Sequence, residues 1–320
     1  MFKNQPKGLI PAALANMGER FGFYVMMAIL LLFLNNKFGF SGSGGAVIYS
    51  IFYALIYILA LAGGLIADKT KKYKSTIIVG LVLMTIGYIL IAIPTKTPVE
   101  NFPLILGYTC FGLFAIAFGN GLFKGNLQAV VGQLYDNPQY AEKRETGFQI
   151  FYMFINVGAM FAPIMAVGLR NWWVQNNGFK FDADLPALCN QYLGGTITPE
   201  AQTRLSELAT QVGDKTGDLT LFANQYLNIF MEGYHYSFGI AIFAMIISLT
   251  IFLANKAKLP DPSLKSVDVK QSTQEVEMDI KEIRQRMYAL FAVFGVFLLV
   301  LIPPKWTNPY TICQRLHKND

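Results

Sequence analysis

The stretch ANMGERFGFY, residues 15–24, carries two charged side chains, Glu19 and Arg20, inside an otherwise apolar run. LIPAAL precedes it and VMMAILLLFL follows it. An unpaired charge in hydrocarbon costs at least about 3 kcal/mol on insertion scales, so such groups usually face protein or water and find partners. We therefore expect Glu19 and Arg20 to face the interior of a helical bundle that lies in a membrane.

The composition as a whole is typical of a protein that crosses the bilayer several times. The chain has 320 residues, of which 53% are hydrophobic and only 14% charged, and its mean hydropathy is +0.39. Apolar runs of about twenty residues are long enough to span a bilayer as helices. They predict an all-α polytopic membrane protein with spans at 8–34, 46–67, 75–94, 104–135, 146–169 and 233–254, and a seventh that starts near 287.

The cysteines give no sign of a metal site. Cys110, Cys189 and Cys313 are scattered, without a CxxC pair or the spacing of metal ligands. The spans also lack a paired nucleophile and base, and His235 at a span entrance is most simply an interfacial residue. We therefore expect neither a metal nor a cofactor, and we expect that the protein is not an enzyme.

The Lys and Arg residues are concentrated in alternate segments between the spans, and this distribution predicts the orientation of the protein in the membrane. The amino terminus and the segments 68–74, 136–145 and 255–286 hold fifteen Lys and Arg, whereas the alternate segments hold six. Cytoplasmic loops carry this excess, so we expect a cytoplasmic amino terminus in the cell (inner) membrane, with lipids as partners. Because the net charge of +6 lies in these loops, it does not indicate a nucleic-acid partner. The polar stretch 170–232 is then an external insert, and 255–286 is a cytoplasmic linker.

Polar residues of four spans share one depth. Counted from the cytoplasmic end of each span, Glu19, Tyr57, Lys124 and Asn156 each lie about 16 Å into the membrane at 1.5 Å per residue. One carboxylate cannot neutralise both Arg20 and Lys124, so the excess positive charge is a natural site for a substrate carboxylate. The alternative is a static ion-pair network that only fixes the packing of the helices.

Two glycine-rich segments have structural interpretations. GNGLFKGN at 119–126 lacks the spacing of a Walker motif, so its glycines are expected to let helix backbones approach or to loosen the helix near Lys124. GGLIAD at 63–68 places Asp68 before the basic loop. Asp68 either caps the next helix or acts as a gating latch, and both interpretations stay open.

Together four motifs resemble the proton-dependent oligopeptide transporters, a branch of the major facilitator superfamily. They are GERFGFY at 18–24, GGLIAD, GNGLFKGN and FYMFINVGA at 151–159. The resemblance implies symport of di- and tripeptides with protons by a fold of which this chain holds the amino-terminal six-helix half and part of a seventh helix. The residues it assigns to proton coupling are Glu19, Arg20 and Lys124, and those it assigns to substrate binding are Arg20, Tyr24, Tyr53, Lys124, Tyr152 and Asn156. Tyr57 joins the predicted substrate-binding residues because of its depth in the second span.

Three positions depart from the family pattern. Asn16 stands where the family has a glutamate, and because Asn does not titrate, the proton stoichiometry is in doubt. The position of Phe23 is often occupied by a tyrosine in the family, so this chain lacks one hydroxyl in the cavity. Gly125 replaces the proline that usually follows the lysine.

The carboxyl end suggests a change of reading frame. The apolar stretch of the seventh span ends at two prolines, so we expect a partial helix over 287–304 and an out-of-frame tail over 305–320. Codons read one base later after about residue 296 can encode a segment like the family's seventh helix. We expect such a chain not to transport by itself. Two further alternatives are a transporter of the same fold for another small anion or amphiphile and a non-transporting product of a degraded gene.

Overall fold

The computed structural model describes residues 2–40, 43–214 and 217–260, together with residues 284, 285, 288, 289 and 292. All of its long helices belong to one compact unit, Met1–Lys265. The helices are α1 (Leu9–Phe38), α2 (Gly44–Thr70), α3 (Tyr73–Ala92), α4 (Phe102–Gln133), α5 (Pro138–Ala141), α6 (Arg144–Asn176), α7 (Leu185–Leu193), α8 (Pro199–Val212) and α9 (Leu219–Asn255), with a 3₁₀ turn over Lys256–Lys258.

Six of these helices, α1, α2, α3, α4, α6 and α9, are long and apolar enough to cross a bilayer. The prediction of an all-α membrane protein with six spans in residues 1–254 is therefore confirmed. The predicted linker over 255–286, the partial seventh helix over 287–304 and the tail over 305–320 lie almost wholly outside the described residues.

Glycine pairs bring α2 and α3 against α4. A Cβ on Gly63 would lie 2.2 Å from the Gly121 carbonyl oxygen, and a Cβ on Gly80 would lie 2.7 Å from that of Gly119. Small residues at such crossings let backbones approach without side chains between them. The side-chain amide of Asn126 donates to the Gly63 carbonyl at 3.1 Å, which adds a hydrogen bond to the α2–α4 contact.

The polar stretch predicted over 170–232 proves to be mostly helical and partly buried. α6 continues to Asn176 rather than ending at 169, and α9 begins at Leu219 rather than at 233. The early turns of α9 bury the aromatic side chains of Phe222, Tyr226 and Phe230, which recur every four residues on one face. Between the two long helices, α7 and α8 bury Leu185, Cys189, Leu205, Ala209 and Val212.

A buried lysine holds the end of the bundle that lies opposite the amino terminus. Lys37, at the end of α1, donates to the backbone oxygens of Thr95 at 2.5 Å and Lys96 at 2.9 Å, and to the Thr97 hydroxyl at 2.7 Å. The Thr97 backbone N–H donates in turn to the Asn228 side chain at 2.8 Å. The loop between α3 and α4 is thereby joined to both α1 and α9.

Candidate functional site

A cavity of about 260 Å³ opens between α1, α2 and α4. Polar and aromatic groups from three helices line it, with few aliphatic side chains between them. Its lining consists of Arg20, Phe23, Tyr24, Met27, Tyr49, Tyr53, Ile56, Tyr57 and Lys124. Five of the residues predicted for the site, one or more from each of these helices, therefore lie around one space.

A buried ion pair lies at the Arg20 side of the cavity. The Glu19 carboxylate is fully buried, and its Oε2 lies 2.6 Å from Arg20 Nε. The side-chain amide of Asn120, on α4, donates to Glu19 Oε1 at 2.8 Å. The guanidinium of Arg20 also lies 5.2 Å from the centre of the Phe23 ring, a cation–π distance. α1 and α4 are thus joined through one carboxylate.

Lys124 contributes the second positive charge. Its ammonium lies 5.5 Å from the centre of the Tyr57 ring, and its side chain is half-buried. Tyr49, Tyr53 and Tyr57 recur every four residues along α2, and the hydroxyls of the last two lie 3.1 Å apart. With two cations and one carboxylate, the cavity carries a net positive charge that attracts an anionic group.

Three of the predicted residues lie elsewhere. Tyr152 and Asn156 are exposed and line a separate open pocket along α6, together with Glu145 and Gln149. The depth that Asn156 shares with Glu19 and Lys124 did not place it in the cavity, because depth does not fix the direction in which a helix face points. Asp68 lies at the end of α2, exposed, and accepts a hydrogen bond from the Tyr73 hydroxyl across the turn into α3.

Two asparagines were missed by the sequence reasoning. Asn120 bonds to Glu19, and Asn126 bonds to α2; both are buried. The available signal was helical spacing, since Asn120 precedes Lys124 by four residues and therefore shares its face of α4.

Six candidate membrane spans, three of which line a cavity with two cations, define a multi-pass membrane protein of the transporter type. A sequence model described as the POT family matches residues 74–263, which is more than half of the chain. The chain therefore belongs to the POT family, and the resemblance read from the four motifs is confirmed.

Named relatives are transporters rather than enzymes. A di-/tripeptide transporter of Lactococcus lactis subsp. lactis (strain IL1403) is 34% identical over 171 residues, which cover 51% of this chain and 32% of that protein. An uncharacterized transporter of Bacillus subtilis (strain 168) is 30% identical over 227 residues, covering 66% of this chain and 44% of that protein. The chain thus spans less than half the length of these relatives.

Solved structures share the fold. A peptide transporter POT in complex with sulfate matches with a TM-score of 0.54 and 24% identity, over 98% of this chain and 49% of that one. A POT family transporter in complex with 5-aminolevulinic acid matches with a TM-score of 0.55 and 23% identity, over 94% of this chain and 47% of that one.

Proposed function

We propose that this bundle contributes the cationic part of the substrate path in proton-coupled symport of di- and tripeptides. The observation that carries the proposal is the cavity with Arg20 and Lys124 on its wall and a single carboxylate, Glu19, beside them. A peptide has one terminal carboxylate, which supplies the negative charge that the cavity lacks. Tyr24, Tyr53 and Tyr57 offer hydroxyls and ring faces to the rest of the peptide.

Proton coupling follows from competition for Arg20. Glu19 is fully buried, and its negative charge is balanced by the Arg20 guanidinium and the Asn120 amide. When a peptide carboxylate draws the guanidinium toward the cavity, the Glu19 carboxylate loses its cation. An unpaired buried charge is costly, so Glu19 takes up a proton, and release of that proton accompanies release of the peptide. Lys124 holds the substrate carboxylate from the opposite wall.

The orientation and the gate belong to the same proposal. The excess of Lys and Arg at the amino terminus and around the 68–74 loop supports a cytoplasmic amino terminus in the cell (inner) membrane. Asp68 then lies at the cytoplasmic end of α2, where its bond with Tyr73 links α2 to α3 and serves as a latch. Tyr152 and Asn156 are not included in the carboxylate site, because they line the other pocket.

Binding of two matched ligands tests the carboxylate site. We expect the purified chain to bind labelled dialanine and to bind dialanine amide, which has no carboxylate, at least about tenfold more weakly, since a charge-assisted hydrogen bond contributes about 1.5–3 kcal/mol. Lys124→Met should reduce this difference, because only Arg20 then remains to attract the carboxylate. Lys96→Met is the matched control, because Lys96 is an exposed loop residue that pairs with Glu100. Equal binding of both ligands by the unmodified chain would contradict the proposal.

Uptake into vesicles tests symport. Saturable accumulation of dialanine that depends on an imposed proton gradient supports coupled transport by this chain. Binding without accumulation restricts the role of the chain to substrate recognition.

A second candidate is transport of another small carboxylate. Asn16 removes a titratable group from the first helix, and one POT family transporter of the same fold was solved with 5-aminolevulinic acid. Competition experiments separate the two: if that acid displaces itself but dialanine does not displace it, the second candidate holds.

A further inference from the structure

Four buried polar atoms around Glu19 have no hydrogen bond of normal geometry among the residues that the structure describes, although one of them, Glu19 Oε2, makes the ion pair with Arg20 Nε. They are Glu19 Oε2, Arg20 Nη2, Asn120 Oδ1 and the Tyr88 hydroxyl. Most buried polar groups in proteins have a protein or water partner, so each exception needs a physical explanation. Here four exceptions come from three different helices.

The four atoms belong to one cluster. Asn120 donates to the Glu19 carboxylate at 2.8 Å, and the same carboxylate lies 2.6 Å from Arg20 Nε. Tyr88 lies within electrostatic range of both Glu19 and Arg20. It is on α3, one turn after Met84, and Met84 packs so closely on α4 that a Cβ on Gly119, the residue before Asn120, would lie 2.7 Å from Met84 Cγ. Tyr88 and Asn120 therefore both belong to the crossing of α3 and α4.

The substrate is not the missing partner. Tyr88 and Asn120 are fully buried, and neither lines the cavity that holds Lys124 and the tyrosines of α2. The Nη2 atom of Arg20 is buried as well, although other atoms of Arg20 line the cavity. The partner must be small enough to lie inside the packed bundle.

The chemistry of the cluster matches one water molecule. Tyr88 O–H and Arg20 Nη2–H are donors, whereas Asn120 Oδ1 and Glu19 Oε2 are acceptors. A water molecule accepts two hydrogen bonds and donates two, and buried waters in proteins commonly make two to four. We propose that a buried water molecule is bound between α1, α3 and α4 by Tyr88, Asn120 and the Glu19–Arg20 pair.

This water gives Tyr88 a functional role, although Tyr88 does not line the cavity. Through the water, Tyr88 acts as a positioning residue for the Glu19 carboxyl group, and α3 becomes linked to the ion pair of α1. This second step rests on the proposed proton coupling by Glu19. The water site itself does not depend on which substrate is carried.

Radiolytic hydroxyl-radical labelling tests the water site without any substrate. Radicals formed from a bound water oxidise the side chains beside it even when bulk solvent does not reach them. We expect Tyr88 to be labelled in the unmodified chain, and the label to carry ¹⁸O slowly after transfer into H₂¹⁸O. Tyr226 is the internal control, because it is also fully buried, but its hydroxyl accepts a hydrogen bond from the Asp182 backbone N–H at 3.1 Å. Labelling of Tyr88 no greater than that of Tyr226 would overturn the proposal.

Two variants test how the water is held. Asn120→Leu removes an acceptor and fills space, so labelling of Tyr88 should fall to the level of Tyr226; unchanged labelling in a folded variant contradicts the proposed partners. Tyr88→Phe should shift the infrared band of the Glu19 carboxyl group, identified by subtraction of the Glu19→Gln spectrum. Tyr236→Phe, at an exposed tyrosine of α9, should leave that band unchanged. A band insensitive to Tyr88→Phe overturns the positioning role, and because no substrate is present, this result is separable from a failure of the proposed transport.

Discussion

Replacing Gly121 with alanine should destabilise the bundle at the α2–α4 crossing. The added Cβ would lie 2.4 Å from the Leu59 carbonyl oxygen and 2.5 Å from its carbon, both of them backbone atoms that cannot rotate away. Ordinary contact begins at about 3.4 Å, so the helices must separate by about 1 Å, and overpacking of this kind costs about 1–3 kcal/mol. Alanine also recovers about 0.8–1.0 kcal/mol of helix propensity relative to glycine.

The matched variant Gly125→Ala isolates the crossing, because a Cβ at Gly125 meets nothing within 4 Å. The propensity gain is common to both variants, so Gly121→Ala should be less stable than Gly125→Ala by about 1–3 kcal/mol. Thermal unfolding in detergent, followed by size-exclusion chromatography, gives the order of the melting temperatures. Separation of the helices should also move Tyr57 away from Lys124 and weaken dipeptide binding. If Gly121→Ala melts at or above Gly125→Ala, the close approach of the two backbones is not a constraint on stability.

Three further predictions concern other parts of the chain. Lys37→Met leaves three acceptors without their ammonium donor and should destabilise the bundle by about 2 kcal/mol, measured by thermal unfolding. Asn16→Glu adds a carboxylate that competes for Arg20, so dipeptide binding should weaken about tenfold at neutral pH, equivalent to about 1.4 kcal/mol, and recover as the pH falls and the new carboxyl group is protonated. Burial raises the pKa of the Cys189 thiol to about 12. At pH 8 the fraction of reactive thiolate is then on the order of a thousandfold lower than for an exposed cysteine. Maleimide labelling of Cys189 should therefore be far slower than labelling of a cysteine introduced at exposed Ser206.

Each of these experiments has a control of similar chemistry. Lys69→Met removes an exposed lysine from the end of α2 and should leave the melting temperature nearly unchanged; an equal loss would show that Lys37 stabilises no more than a surface charge. Asn16→Gln should bind dipeptide without the new pH dependence, and identical profiles for the Glu and Gln variants would contradict competition for Arg20. The labelling comparison uses a chain whose other two cysteines are serine. Rapid labelling of Cys189 in the folded protein would show that α7 does not stay packed on its neighbours.

The spans were predictable because apolar length is a strong signal, but their ends were not. The sequence reasoning ended the membrane helices where the residues become polar, at 169 and 233. Helical structure continues past these points because tertiary packing supports it. Arg170 of α6 is buried with its guanidinium 5.5 Å from the ring centre of Phe230 on α9 and 4.6 Å from that of Phe181. Hydropathy measures transfer into lipid, and it does not register burial against protein outside the membrane.

The depth of the site residues along their helices was predictable from the sequence, but the direction in which their side chains point was not. Charge and depth pointed to Arg20, Tyr57 and Lys124, which line one cavity. The same count of residues included Asn156, whose helix turns it toward another pocket. A rise of 1.5 Å per residue gives the level of a side chain, whereas its direction depends on helix rotation, which neighbouring contacts determine. Tyr88 was not predicted at all, because the residues around it in the sequence are apolar and none of them indicates an interaction with Glu19.

The length of α6 and α9 has a practical consequence for experiments on this protein. With 33 and 37 residues, the two helices extend about 50 and 55 Å at 1.5 Å per residue, well beyond a hydrocarbon core of about 30 Å. The short helices α7 and α8 lie in the segment that connects these two helices, and the turn from Gly194 to Thr198 between α7 and α8 is mostly exposed. A helical fusion partner or an antibody fragment attached at this turn would give electron microscopy a fixed landmark for particle alignment, at a distance from the cavity.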